Sequence, residues 1–580
     1  MKNQTASALD QLPRYQPRQF LPESTDLTQT ETAIRYYQQL LDTSPQTSDE
    51  LRTLLLNRSE LEAAIAQVQS ILYIQMTCQT DDTERAAAYK AFIETVMPAL
   101  KPLNDRLDRK IMRAIDATGF NDSYYDLYFR KMRSDIDIFR QDNVPLQTED
   151  ALLSQEYQTV TGAMTVTFDG GEHTIPQMRK YQLNTSRDIR ERSWRATSQR
   201  YLQDSKPLND IFDKMIAARH QIAQNAGFAN FRDYKFIEWH RFSYTPDDCK
   251  RYHRAIETCL VPVQRHVLSR RAEQLGLETL RPWDMTVDPL GREAMRPFES
   301  TADFIAGLGR MFAAADDEFG AGYRFMQDNG LLDLESRKGK APGGYQSCLN
   351  EARKPFIFMN ATGINDDLRV LMHEGGHAFH TLSCADKPLV DYRHGPLEFC
   401  EVASMSMELL TAPHLSVCYD EVQQARWWRG HLETIIRILI SVAVNDAFQH
   451  WLYENPTHTV DHRAEKWLEI NDRFGCDVVD WSGLRTERAA IWQRTPHFYQ
   501  TPFYYIEYGI AQLGALGIWL QSKQDMDKAI ANYKKALALG GSQPLPDLFA
   551  AAELEFDFSE KTVRPLSEML LAEWKKYSDE

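Results

Sequence analysis

Residues 371–380 read LMHEGGHAFH. His373 and His377 are four apart, so a helix carries both imidazoles on one face, one turn apart. A single zinc ion takes two ring nitrogens at about 2.1 Å, and this spacing supplies them without bending the backbone. Glu374 projects roughly 100° away, beside the ion, where its carboxylate serves as a general base toward water. Upstream, Leu368, Leu371 and Met372 give the helix apolar anchors, and Asn365 or Asp366 offers a cap. Gly375 and Gly376 each cost up to about 1 kcal/mol relative to alanine inside a helix. They predict a close neighbour, either another element or a substrate approaching the metal face.

Two histidines do not fill a zinc site. His380 shares their face but lies seven residues beyond His373, about 10.5 Å along a straight helix, too far for one ion to reach both. It reads as a polar residue or a partner of a ligand. A third donor must then come from another helix. Residues 396–410, PLEFCEVASMSMELL, set Glu398, Glu401 and Glu408 on one face, while Phe399, Val402, Met405 and Leu409 argue for burial. One glutamate on the metal, with another orienting a ligand imidazole, accounts for a buried carboxylate row. Cys400 points off that row.

The rest of the chain narrows the setting. Its 580 residues, 43% hydrophobic, are enough for a large core. Against 66 Lys and Arg stand 82 Asp and Glu, a net charge of −16 with no basic stripe, so nucleic acid is not an expected partner. Cysteines at 78, 249, 259, 348, 384, 400, 418 and 476 form no CxxC pair and read as scattered free thiols of a reducing compartment. The first twenty residues lack the apolar core of a signal peptide, and the greasiest run, Ile435 to Val444, is too short to cross a bilayer. A soluble, cytoplasmic protein with no membrane partner is expected.

Apolar residues recur at helical spacing from about Thr28 to Ile115, as in Ser48 to Ile65 and Glu84 to Leu100. The polar stretch Gln141 to Tyr157, broken by Pro145, reads as a junction. MTVTFDGGEHTI (164–175) predicts a β-hairpin turning at Asp169-Gly170-Gly171, and GYQSCLNEARKPFIFMN (344–360) a short antiparallel pair. From Asp366 onward the pattern is helical, apart from loops near 385–397, 494–501 and 540–546. This gives a mainly α protein with a small sheet beside the HExxH helix.

Five blocks in order carry a resemblance: RKGKAPGGYQSCL (337–349), PFIFMN (355–360), HEGGHAFH (373–380), LEFCEVASMSMELL (397–410) and HFYQTPFYYIEYGIAQLG (497–514). The chain resembles the M3 metallopeptidases, in their oligoendopeptidase F branch. The resemblance implies a bilobed helical metallopeptidase with a deep central channel and one Zn²⁺ per chain. It divides the chain into an N-terminal helical domain, 1–160, and a catalytic domain, 161–580, that includes the hairpin. It implies short, unstructured peptides as substrates, cut internally. The family's E-V-x-S pattern puts the third ligand at Glu401, which leaves Glu408 to orient an imidazole.

Three phenols within five residues, Tyr504, Tyr505 and Tyr508, each need a hydrogen-bond partner if buried, and a substrate would supply them. Thr501-Pro502 reads as a helix start, with His497 in the loop before it. His497 and Tyr508, then Tyr505, are the expected donors to the substrate carbonyl, and Tyr504 a substrate contact. The strand bearing Phe356 and Phe358 could offer an edge to an extended peptide. Competing readings are a helical peptide-binding protein with a structural zinc and a zinc hydrolase of non-peptide amides. A structural site is usually closed by four protein ligands, and no fourth stands out.

Overall fold

The computed structural model describes Leu9 and residues 12–577. The first eight residues, on which part of the reading of the N-terminus rests, lie outside the described ones. In chain order the elements used below are helix α1 (Ser48–Cys78), strands β1 (Thr165–Phe168) and β2 (Gly171–Thr174), and helix α2 (Pro246–Leu275). Strands β3 (Leu332–Glu335), β4 (Tyr345–Leu349) and β5 (Lys354–Ala361) follow. Helices α3 (Asn365–Ser383), α4 (Leu397–Thr411), α5 (Glu421–Glu454) and α6 (Tyr505–Ser522) complete the set. The protein is mainly α with two small sheets, as its periodicity predicts.

Contacts divide the chain into two compact units. One gathers the residues up to Asp137, Ala294–Trp427 and Ala511–Phe556; the other gathers Ile138–Glu293, Trp428–Ile510 and the residues from Asp557 onward. Each is discontinuous, a different partition from a linear division at residue 160.

In the first unit α1 starts where Thr47 accepts the Glu50 N–H, and it runs to Cys78, well past Ile65. Its Leu51, Leu54, Leu55 and Leu61 are buried with Tyr37, Leu107 and Ile111. The three-stranded sheet has the order β3-β5-β4, with β3 parallel and β4 antiparallel to β5. The β4–β5 pair matches expectation. The parallel strand β3 was not legible, because its partner lies beyond an intervening strand.

In the second unit β1 and β2 form the expected hairpin, pairing Thr165 with Thr174 and Phe168 with Gly171. Asp169 (φ 51°) and Gly170 (φ 77°) both take left-handed conformations, the requirement of a tight hairpin turn that matches strand twist. The expected junction at 141–157 is instead a helix, Asn143–Gly162. Pro145 sits in its first turn, where a missing N–H leaves no helical bond unmade. Among the described residues no helix is long and apolar enough to cross a membrane.

Candidate active site

Helix α3 is stopped at its N-terminus by a residue the sequence reading passed over. The Asp367 carboxylate reaches back to accept the N–H groups of Thr362, Gly363 and Ile364 at 2.8, 2.8 and 3.0 Å. Asn365 and Asp366 are otherwise engaged: the first accepts the Tyr419 hydroxyl at 2.8 Å, the second pairs with Arg369 at 3.0 Å. Asp367 stands three residues past the cap, the usual place for a carboxylate that reaches back.

The glycine pair explains how α3 meets its neighbours. A Cβ on Gly376 would lie 2.5 Å from the Ala403 carbonyl oxygen and 2.6 Å from the Ser404 Cα, so α3 and α4 touch backbone to backbone. A Cβ on Gly375 would lie 2.6 Å from the Phe312 ring. Both glycines therefore answer to protein neighbours, and the reading of a substrate approaching them is set aside.

That contact brings three donors together. The ligand atoms of His373, His377 and Glu401 all lie within 4.8 Å of one another. Glu401 Oε2 stands 3.4 Å from His373 Nε2 and 3.9 Å from His377 Nε2. Two imidazoles and a carboxylate at these spacings fit around one ion with bonds of about 2.0–2.2 Å, so the donor set suits zinc. Behind it, His373 Nδ1 is 2.7 Å from Glu408 Oε1, which fixes the ring so that Nε2 faces the other donors. Ser404 donates to Glu401 Oε2 at 3.1 Å, and Arg369 stands 3.7 Å from Glu408. These two supporting residues were not foreseen.

The electrostatics follow from burial and charge. Burial works against the charged form of His373, but Glu401 and Glu408 outweigh it and raise the imidazole. Burial likewise opposes the Glu401 carboxylate, and the His373 hydrogen bond with the His377 charge pulls it down to about 2. A Glu401 carboxylate held anionic beside two buried imidazoles makes a site that favours a cation. Glu374, 8% exposed, is pushed up to about 7 by burial, and the Gln346 backbone N–H hydrogen-bonds to it. His380 stays out of the cluster, buried against Phe399 and Gly395. Glu398 is buried as well.

Phe356 and Phe358 are fully buried, and β5 is the central strand, paired with β3 on one side and β4 on the other. It has no edge to offer a peptide, which corrects the expectation. The strand read as an edge is instead central and buried along most of its length. The outer strands are β3 and β4, and it is β4 whose Gln346 backbone reaches Glu374.

In the second unit His497 and the three tyrosines form their own cluster. The His497 ring lies 6.0, 4.7 and 6.0 Å from those of Tyr504, Tyr505 and Tyr508. His497 belongs to a four-residue helix, His497–Gln500, not a loop, and α6 begins at Tyr505, not Thr501. Phe503 accounts for the shift: its φ of 69° is left-handed, which no helix accommodates and a bulky side chain rarely adopts. Gln449 accepts the Phe503 N–H at 2.5 Å, and the Phe503 carbonyl accepts from Arg241 at 2.6 Å. Arg241 in turn pairs with buried Glu507 at 2.7 Å. A Ser441 hydrogen bond engages the Tyr505 hydroxyl.

Comparison with known families decides the lineage. The family model described as "Peptidase family M3" matches residues 180–568, and "Peptidase M3 N-terminal domain" matches 19–139. The chain belongs to peptidase family M3. Its relatives place it in the oligoendopeptidase F branch. An oligoendopeptidase F homolog of Borreliella burgdorferi is 24% identical over 68% of each chain. The oligopeptidase PepF of Bacillus subtilis is 25% identical over 39% of this chain and 34% of its own length. A solved structure of Pz peptidase A with an inhibitor is 26% identical, with a TM-score of 0.86 over 98% of this chain and 99% of that one. Another, described as an oligoendopeptidase F, is 26% identical with a TM-score of 0.85 over 97% of this chain and 99% of that one. This M3 peptidase thus shares its whole architecture with them.

Proposed function

We propose that this M3 peptidase is a zinc-dependent endopeptidase that cuts internal bonds of short, unstructured peptides in the cytoplasm. The observation that carries the reading is the convergence of His373, His377 and Glu401, three donors that leave a fourth position for the reaction, with a buried carboxylate alongside. The relatives' names, oligopeptidase and oligoendopeptidase, support the substrate class.

A zinc ion held by His373, His377 and Glu401 would supply Lewis acidity toward the scissile carbonyl and water. The chain's own residues do the remainder. Glu374 takes a proton from water and returns it to the departing amine. Glu408 holds His373 in the tautomer whose Nε2 is free to ligate. Because β5 has no edge, we assign backbone pairing with an extended substrate to β4. None of the eight cysteines lies in a disulfide, which suits a reducing compartment. A quenched fluorescent peptide of roughly 5–20 residues should be cut internally. Chelator should abolish this, and a folded globular protein should resist. Equal rates with and without chelator, or equally rapid digestion of the folded protein, would overturn the reading.

We assign the donors to the substrate oxyanion to the second cluster: Tyr508 and His497, with Tyr505 after them. Burial lowers the His497 imidazole, so it is neutral near pH 7 and donates through one nitrogen. Losing one such donor costs about 10²–10³-fold in rate. Tyr508→Phe should show that loss at unchanged zinc content, and Tyr505→Phe less. If Tyr508→Phe, Tyr505→Phe and His497→Ala all retain parental kcat, the cluster is packing alone.

A further inference from the structure

The second unit holds another donor cluster, unrelated to the HExxH motif. Cys249 and His253 stand four apart on α2, and Asp446 and His450 stand four apart on α5. Each helix thus presents two metal-binding side chains on one face. All four are buried, at 0%, 3%, 0% and 2% exposure. Donor atoms of Cys249, Asp446 and His450 lie within 4.8 Å of one another. His253 Nε2 is 2.8 Å from Asp446 Oδ2, and His450 Nε2 is 3.3 Å from the same oxygen.

The polar atoms here are poorly satisfied by protein alone. Asp446 Oδ1 and His450 Nδ1 make no protein hydrogen bond, and His450 Nε2 has only the 3.3 Å contact with Asp446, although a fully buried carboxylate ordinarily needs several partners. No arginine or lysine pairs with Asp446 among the described residues. Nearby Arg241 is committed to Glu507 and the Phe503 carbonyl. A buried anion, a buried thiol and an unsatisfied imidazole at ligand spacing together call for a cation.

We propose that Cys249, Asp446 and His450 bind a second transition-metal ion of the zinc class, with His253 donating to Asp446 from behind. One sulfur, one nitrogen and one oxygen form a donor set that suits zinc and disfavours calcium or magnesium. Binding releases the Cys249 proton to solvent, and the resulting thiolate and the Asp446 carboxylate balance a divalent charge. The ion ties α2 to α5. The His450 ring lies 5.6 Å from that of Phe503, and Gln449 holds the Phe503 N–H. The site therefore sits behind the left-handed turn that leads into the tyrosines, and its role is to hold that turn.

The intact chain, loaded with zinc and freed of loosely bound metal, should carry two equivalents. Loaded with cobalt(II), it should show a thiolate-to-cobalt charge-transfer band in the near ultraviolet. His373, His377 and Glu401 contain no sulfur, so this band reports on the new site alone. It should persist in Glu401→Ala and vanish in Cys249→Ser. Asp446→Asn, close in shape, should lose one equivalent of zinc and serves if Cys249→Ser does not fold. A parent with no band, a band that survives Cys249→Ser, or an Asp446→Asn chain that loses no zinc each overturns the proposal. None of these outcomes depends on whether Glu374 and Glu401 act as assigned.

Discussion

Glu374→Gln lowers peptide turnover by about 10²–10⁴-fold, the usual contribution of a positioned general base, while the chain keeps its metal. The two side chains have nearly the same shape. Glutamine retains an oxygen for the Gln346 N–H that hydrogen-bonds to Glu374. It cannot take a proton from water, and Glu374 is not one of the three converging donors. The pH profile adds a second reading. Burial raises the carboxyl to about 7, and a bound divalent ion beside it pulls it back down. Only the ionised form accepts a proton, so kcat/KM should rise with pH through an acid limb below about 7. That limb should be missing from the residual activity of Glu374→Gln. Metal content and kcat/KM measured together decide the matter: a variant with near-parental turnover leaves Glu374 without its role.

Glu401→Ala releases one equivalent of metal and with it the activity. Glu401 Oε2 is the atom that both imidazoles face, at 3.4 and 3.9 Å, and among the described residues no other carboxylate joins that group. Residues that only orient a ligand are worth about 10–100-fold in affinity, so loss of a ligand should exceed 100-fold. Glu398 lies three residues earlier on the same helix and equally buried, yet outside the group. Glu398→Ala should keep the full metal complement and serves as the control for burial of a carboxylate on α4. Metal analysis after gel filtration tests both, and a Glu401→Ala chain that loses no metal removes Glu401 from the ligand set.

What could be read in advance follows from the range of each interaction. The i, i+4 spacing of His373 and His377 is a local property of a helix, so it survives into the structure unchanged. The same holds for the hairpin turn at Asp169 and Gly170. The carboxylate row on 398–408 was legible as a buried face, but which oxygen meets the imidazoles depends on how α4 crosses α3. Periodicity does not report that crossing; family likeness pointed to Glu401. Phe503 defeated the reading of the 497–508 segment, because its left-handed backbone is held by Gln449 and Arg241, both distant in sequence. Likewise nothing local announces that Cys249 and His253 face Asp446 and His450, nearly two hundred residues away. The edge assigned to β5 failed for the same reason, since its parallel neighbour β3 joins it from before the intervening β4.

The backbone contact at Gly376 also sets how the donor triangle tolerates change. With no side chain between α3 and α4, the gap between His377 and Glu401 is gauged by main-chain atoms alone, whose sizes do not vary with sequence. Repacking elsewhere in the core can tilt or slide the pair, but it cannot wedge the helices apart at that point. The separation of the donors on α3 and α4 is thereby protected at that point from drift in the surrounding hydrophobic residues. Side chains around the site can change while the gap between α3 and α4 keeps its calibre, and the whole burden of that constancy falls on one residue that has to remain glycine.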